Sequence, residues 1–114
     1  MLFADLEEGA KRDICGGACR ELVGGLPEEA PDRYRQVSPL ALLPLGVPQW
    51  HVIGLLDRVV PADYVERYVA IAGEHDEVHL DILPDAGHYE LIVPAASAWP
   101  TVRHAVLTLL GRTS

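Results

Sequence analysis

From Val47 onward the apolar residues change their spacing from one segment to the next, and each spacing predicts an element. Residues 47–57, "VPQWHVIGLLD", form a short apolar run bounded by Pro48 and a charged end, the pattern of a strand buried on both faces. In 61–73, "PADYVERYVAIAG", Tyr64, Tyr68, Ile71 and Ala72 recur at helical spacing; Pro61 opens the helix and Gly73 supplies its stop. Residues 77–87, "EVHLDILPDAG", alternate Val78, Leu80 and Ile82 against His79, Asp81 and Leu83, which predicts a second strand. A closing helix is predicted over 97–111, with Ser97 and Pro100 at its start. Strand, helix, strand, helix implies a right-handed βαβ unit and a parallel sheet of α/β class.

The first 47 residues are patterned more loosely, and the Pro/Gly-rich segment 24–34, "GGLPEEAPDRY", interrupts them. With 114 residues and 49% hydrophobic content, the chain has the size of one domain with one core, residues 1–114. The formal net charge of −8 argues against nucleic acid or an anionic membrane as partner, because such surfaces are met by clustered Lys and Arg. No apolar stretch approaches the ~20 residues that span a bilayer, and the start lacks the basic-then-apolar pattern of a secretion signal. A soluble, cytoplasmic protein is expected. Cys15 and Cys19, in "CGGAC", have neither redox nor zinc-ribbon spacing and are expected to be reduced thiols.

Four stretches occur in an order that resembles the C-terminal half of an α/β-hydrolase: "SPLALLPLGVPQ", "GLLDRVVP", "LPDAGHYELIVP" and "AWPTVRHAVLTLL". Esterases similar to dienelactone hydrolase and prolyl oligopeptidase are nearest in flavour. The resemblance implies that Asp57 matches the acid and His88 the base of a catalytic triad. It also implies that "MLFADL" is the sixth strand of that fold and that residues 1–47 hold this strand and a cap-like region, with the βαβα unit in 48–114. The expected architecture is therefore a truncated α/β-hydrolase fold: about three parallel strands with flanking helices, completed by oligomerisation.

What the family carries upstream is absent from this sequence. Its nucleophile sits in a Gly-x-Ser-x-Gly elbow, and no such elbow occurs here. The serines are Ser38, in a Val-Ser-Pro turn, Ser97, a candidate helix cap, and Ser114 at the end. A hydrolase half without its elbow lacks both the attacking hydroxyl and the donors of an oxyanion hole. The uncovered edge of a sixth strand would require another copy, a dimer or higher oligomer, or a separate N-terminal partner.

Five histidines, His51, His75, His79, His88 and His104, together with the carboxylates of "EHDEVHLD", are groups that zinc, manganese or iron accept. The expectation is a repurposed site in which Asp57, His88, His51 and His79 hold a divalent metal, zinc by preference, and a metal-bound hydroxide replaces the lost alkoxide. Glu90 would ligate or act as base, and Arg58 would bind a phosphate of the substrate. The expected function is accordingly a metal-assisted hydrolase of small-molecule esters, phosphoric diesters preferred, acting as a homo-oligomer. Two alternatives stand beside it: one half of a split serine α/β-hydrolase, and a noncatalytic remnant whose sheet edge serves association.

Overall fold

A computed structural model of the chain describes residues 3–111. Five α-helices and two parallel strands follow in the order α1 (Leu6–Lys11), α2 (Ala18–Val23), α3 (Pro31–Val37), β1 (Gln49–Gly54), α4 (Ala62–Ala72), β2 (Val78–Leu83) and α5 (Trp99–Leu109). Single 3₁₀ turns at Pro39–Leu42 and Glu90–Ile92 complete the order. The class is thus mixed α/β, built on the strand–helix–strand–helix succession that the apolar spacing predicts.

Because side chains alternate across a strand, the register of the two strands sorts their residues into two faces. Pairing of Gln49 with Val78, His51 with Leu80 and Ile53 with Ile82 puts one set on the α4 side. Ile53 packs there with Val60, Tyr64 and Val65, joined by Leu80. Trp50 pairs with His79, Val52 with Asp81 and Gly54 with Leu83 on the opposite side, where the Trp50 ring meets His104 of α5. The two-stranded sheet therefore lies between α4 and α5. On α4 the buried stripe is Tyr64, Val65, Tyr68 and Ala72; Val65 takes a core place, whereas Ile71 is only partly buried.

The N-terminal segment departs from the expected sixth strand. Met1 and Leu2 lie outside the described residues, Phe3–Asp5 is turn and bend, and a helix begins at Leu6. Local chemistry explains the change: the Asp5 carboxylate accepts the Glu8 N–H at 3.2 Å, and Glu7 and Glu8 place negative charge in the first turn, as a helix N-terminus favours. Two strands, not three, make the sheet among the described residues. Tertiary bonds hold the segment down as well. The Tyr64 hydroxyl donates to the Asp5 carbonyl at 2.8 Å and accepts from the Asp5 N–H at 3.1 Å, while Arg67 pairs with the Asp5 carboxylate. Burial pushes the Tyr64 phenol up to about 12.

Two smaller expectations are also corrected or refined. Ser97 does not cap α5; the N-cap position is Ala98, without a side-chain bond, and Pro100 in the first turn provides the preset backbone. Both cysteines are free thiols, Cys15 exposed and Cys19 buried beside Leu6 and Tyr34.

Candidate active site at the carboxyl ends of the strands

The parallel ladder continues beyond both strands. Leu55 N–H donates to the Leu83 carbonyl at 2.9 Å and Leu56 N–H to the Ala86 carbonyl at 3.0 Å. These bonds draw together the two loops that follow β1 and β2, the place where parallel sheets gather ligands and catalytic groups. Gly54 makes the approach possible: a Cβ there would come within 2.3 Å of the Ala86 carbonyl oxygen and 2.6 Å of that of Gly87. No other residue fits without moving the loop that carries His88.

Asp57 follows three positions later. Its Oδ1 accepts the Val59 N–H at 2.8 Å and the Val60 N–H at 2.9 Å, and its Oδ2 lies 2.9 Å from His88 Nδ1. The Asp57 side chain is 5% exposed and that of His88 34%. Burial alone would raise the Asp57 pKa, but the Val60 amide, the His88 hydrogen bond and the Val59 amide together outweigh it and hold the carboxyl below its ordinary value. The carboxylate is therefore charged at neutral pH and acceptor-only. In the neutral ring a charged acceptor at Nδ1 keeps the proton on that nitrogen and leaves the Nε2 lone pair outward. Nε2 has no hydrogen-bond partner among the described residues. The Tyr89 ring stands edge-on to the imidazole, with centroids 4.9 Å apart.

Beside the imidazole runs a groove of about 310 Å³ lined by Val52, Ile53, Asp57, Val60, His88, Tyr89, Leu91 and Ile92. Apart from the dyad and the Tyr89 hydroxyl its walls are apolar. Exposed apolar residues lie around it: Leu55 and Leu56 after β1, Ile82 near the end of β2, and Tyr89, Ile92 and Val93 in the His88 loop.

The other expected site residues are not gathered here. Glu90 accepts the Gly87 N–H at 3.0 Å and so closes its own loop. Arg58 is exposed and is not among the groove's lining residues. His51 is on the α4 side of the sheet, 8% exposed, with Nε2 3.1 Å from Gln49 Oε1 and its ring edge-on to Tyr68. His79 is on the α5 side, stacked on Trp50 and paired with Glu77 at 3.0 Å. The sheet itself separates His51 from His79, and both lie in the first halves of their strands, remote in register from Asp57 and His88. Two further carboxylates of "EHDEVHLD" are similarly committed: Asp76 accepts the Leu45 and Gly46 amides at 2.7 and 3.1 Å, and Asp81 accepts the Trp50 indole N–H at 2.8 Å. Among the described residues no group of three or more His, Cys, Asp and Glu side chains is placed to hold a metal. At the dyad Asp57 Oδ1 accepts two amides and Oδ2 meets His88, while His88 Nε2 has no protein partner among the described residues.

The serines follow the same test. Ser38 is buried with its Oγ accepting the Leu6 N–H at 3.1 Å, Ser97 is exposed, and Ser114 lies outside the described residues. None lines the groove. Gly54, the Val59 and Val60 amides and the groove wall went unread from the sequence. Only Gly54 left a signal, a small residue just ahead of an acidic one at a strand end.

No protein-family model, curated protein or solved structure matches this chain. The site must be understood from its own geometry.

Proposed function

We propose that this chain carries the acid–base pair of a serine-type ester hydrolase, with the attacking hydroxyl supplied from outside these 114 residues. The observation that carries the reading is the 2.9 Å bond from His88 Nδ1 to an Asp57 carboxylate whose other oxygen is fixed by two backbone amides. In this arrangement Asp57 sets the tautomer and orientation of the ring, and Nε2 removes a proton from a hydroxyl brought against the groove. The exposed apolar residues around the dyad favour a covering polypeptide, another part of a longer protein or a separate chain. A homo-oligomer would serve that covering too. The apolar walls favour a carboxylic ester over a phosphoric diester, since Arg58 stands away from the groove and no other cation lines it.

Reaction of the protein, purified with whatever it associates with, with a fluorophosphonate probe tests the reading. Labelling is expected on a serine outside this sequence, at a rate that falls ~10²- to 10⁴-fold when His88 becomes Ala. Labelling indifferent to His88, or confined to Ser38, would overturn it.

A further inference from the structure

The geometry at His88 points to an activity that needs no hydroxyl at all. We infer that the His88 imidazole is itself a nucleophile toward activated acyl compounds, thioesters and aryl esters of medium-length apolar acids, and that residues 1–114 hydrolyse them through an acyl-imidazole. This activity goes beyond the reading above, because it is a property of this chain alone.

Three observations combine. The Asp57 acceptor holds the proton of the neutral ring on Nδ1, so the electron pair of Nε2 points away from the carboxylate. That ring lines the groove, is one-third exposed, and has no Ser, Thr or Cys beside it in the lining to which it would pass its role. The groove offers Val52, Val60, Leu91 and Ile92 to an acyl chain, and its volume of about 310 Å³ is at the lower end of ordinary ligand sites. With no preformed oxyanion donors on the lining side chains besides the Tyr89 hydroxyl, the leaving group must be a good one. That requirement restricts the substrates to activated acyl compounds.

The chemistry balances without a further reactant. The Nε2 electron pair forms a bond to the acyl carbon, and the carbon–oxygen or carbon–sulfur bond breaks with its electrons on the leaving aryloxide or thiolate. The resulting acyl-imidazolium keeps its Nδ1–H on Asp57, which offsets the new positive charge. Water then adds to the acyl carbon, the carbon–Nε2 bond breaks, and the acid departs. The water's remaining proton goes to the leaving group, and the neutral imidazole is restored.

The test uses p-nitrophenyl acetate and p-nitrophenyl hexanoate with the full chain in a Cys15→Ser background, which removes the exposed thiol as a competing acceptor. Expected are an initial release of p-nitrophenolate equal to the chain concentration, an acyl group mapped to His88 by mass spectrometry after rapid acid quench, and faster turnover of the hexanoate. Hydroxylamine should speed the release of that acyl group. His88→Ala should lose ~10²-fold or more of the rate above spontaneous hydrolysis, and Ile92→Asp, an exposed position on the groove wall, should remove the hexanoate preference. Acyl mapping on the chain with His88 intact does not depend on how any His88 variant folds. Acylation only at other histidines, or a rate unchanged in a folded His88→Ala, overturns the proposal. A His88-dependent rate with no acyl adduct and a large solvent deuterium isotope effect also overturns it, because His88 would then be activating water as a base; the acid–base reading of the dyad would survive that result.

Discussion

Two histidines of this small sheet make opposite use of the same ring. His51, at the amino half of β1, is buried between Gln49 and Tyr68, and burial lowers its pKa to about 4. It is neutral at physiological pH, held with Tyr68 on one amide oxygen: the Tyr68 hydroxyl donates to Gln49 Oε1 at 2.8 Å. His88, at the carboxyl end, is one-third exposed and leans on a charged carboxylate. One ring is part of the core's polar framework; the other presents a nitrogen to a groove. Sequence type does not separate them, but the partner on the ring nitrogen and the depth of burial do.

The largest expected effect is on catalysis. Replacing His88 by Ala should remove ~10²- to 10⁴-fold of the turnover of p-nitrophenyl hexanoate, with a stability loss of only about 1 to 3 kcal/mol from the buried Asp57 oxygen left without its partner. If turnover persists and stability falls instead, the two histidines are alike and the comparison fails.

The next effect is on stability against pH. The His51 pKa is lower in the folded state than its ordinary 6.5, so the unfolded chain binds the extra proton and stability is lost as pH falls from 6.5 toward about 4. The loss amounts to roughly 3 kcal/mol over that window. Urea denaturation at a series of pH values should show it, and His51→Gln, which keeps a side-chain donor but cannot titrate, should flatten the curve there. The Asp57 carboxyl, also lowered, acts in a separate window: its contribution is present above the ordinary 3.8 and is lost as pH falls through the lower folded value. Asp57→Asn should therefore lower the curve above pH 3.8 and remove the loss on its acid limb. A His51→Gln chain that still loses stability between pH 6.5 and 4 would show that burial of this ring is not the cause.

Gly54 links strand and loop, and Gly54→Ala should break the dyad through the backbone. A Cβ 2.3 Å from the Ala86 oxygen must displace the loop, at a cost of about 1 to 3 kcal/mol, and esterase turnover should fall with it. A structure of that variant with the Asp57–His88 bond intact would separate loop position from catalysis. Smallest of all, Glu90→Ala should cost roughly 0.5 to 1 kcal/mol by releasing the exposed Gly87 amide bond. The sign to look for is a change in turnover larger than this change in stability, because the loop carries His88.

The sequence alone determined the α/β class and the position of four elements, because the period of burial is written directly in the order of apolar residues between Val47 and Gly111. It also pointed to Asp57 and His88, through the resemblance of the stretches that carry them to an α/β-hydrolase and through their place after the two predicted strands. It could not determine that Leu6 opens a helix: the apolar "LFADL" suits a strand equally well, and the helix is decided by the Asp5 cap and by Tyr64 and Arg67, some 60 positions away. Nor could it assign the histidines. His51 and His79 read alike as strand residues near acidic groups, and only the register, which turns them to opposite faces, and the packing of Tyr68 and Trp50 give each its surroundings. The bond between Asp57 and His88 spans 31 positions. It exists because the ladder runs past both strands and Gly54 lets the loops meet, a condition set by distance in space that no spacing along the chain encodes.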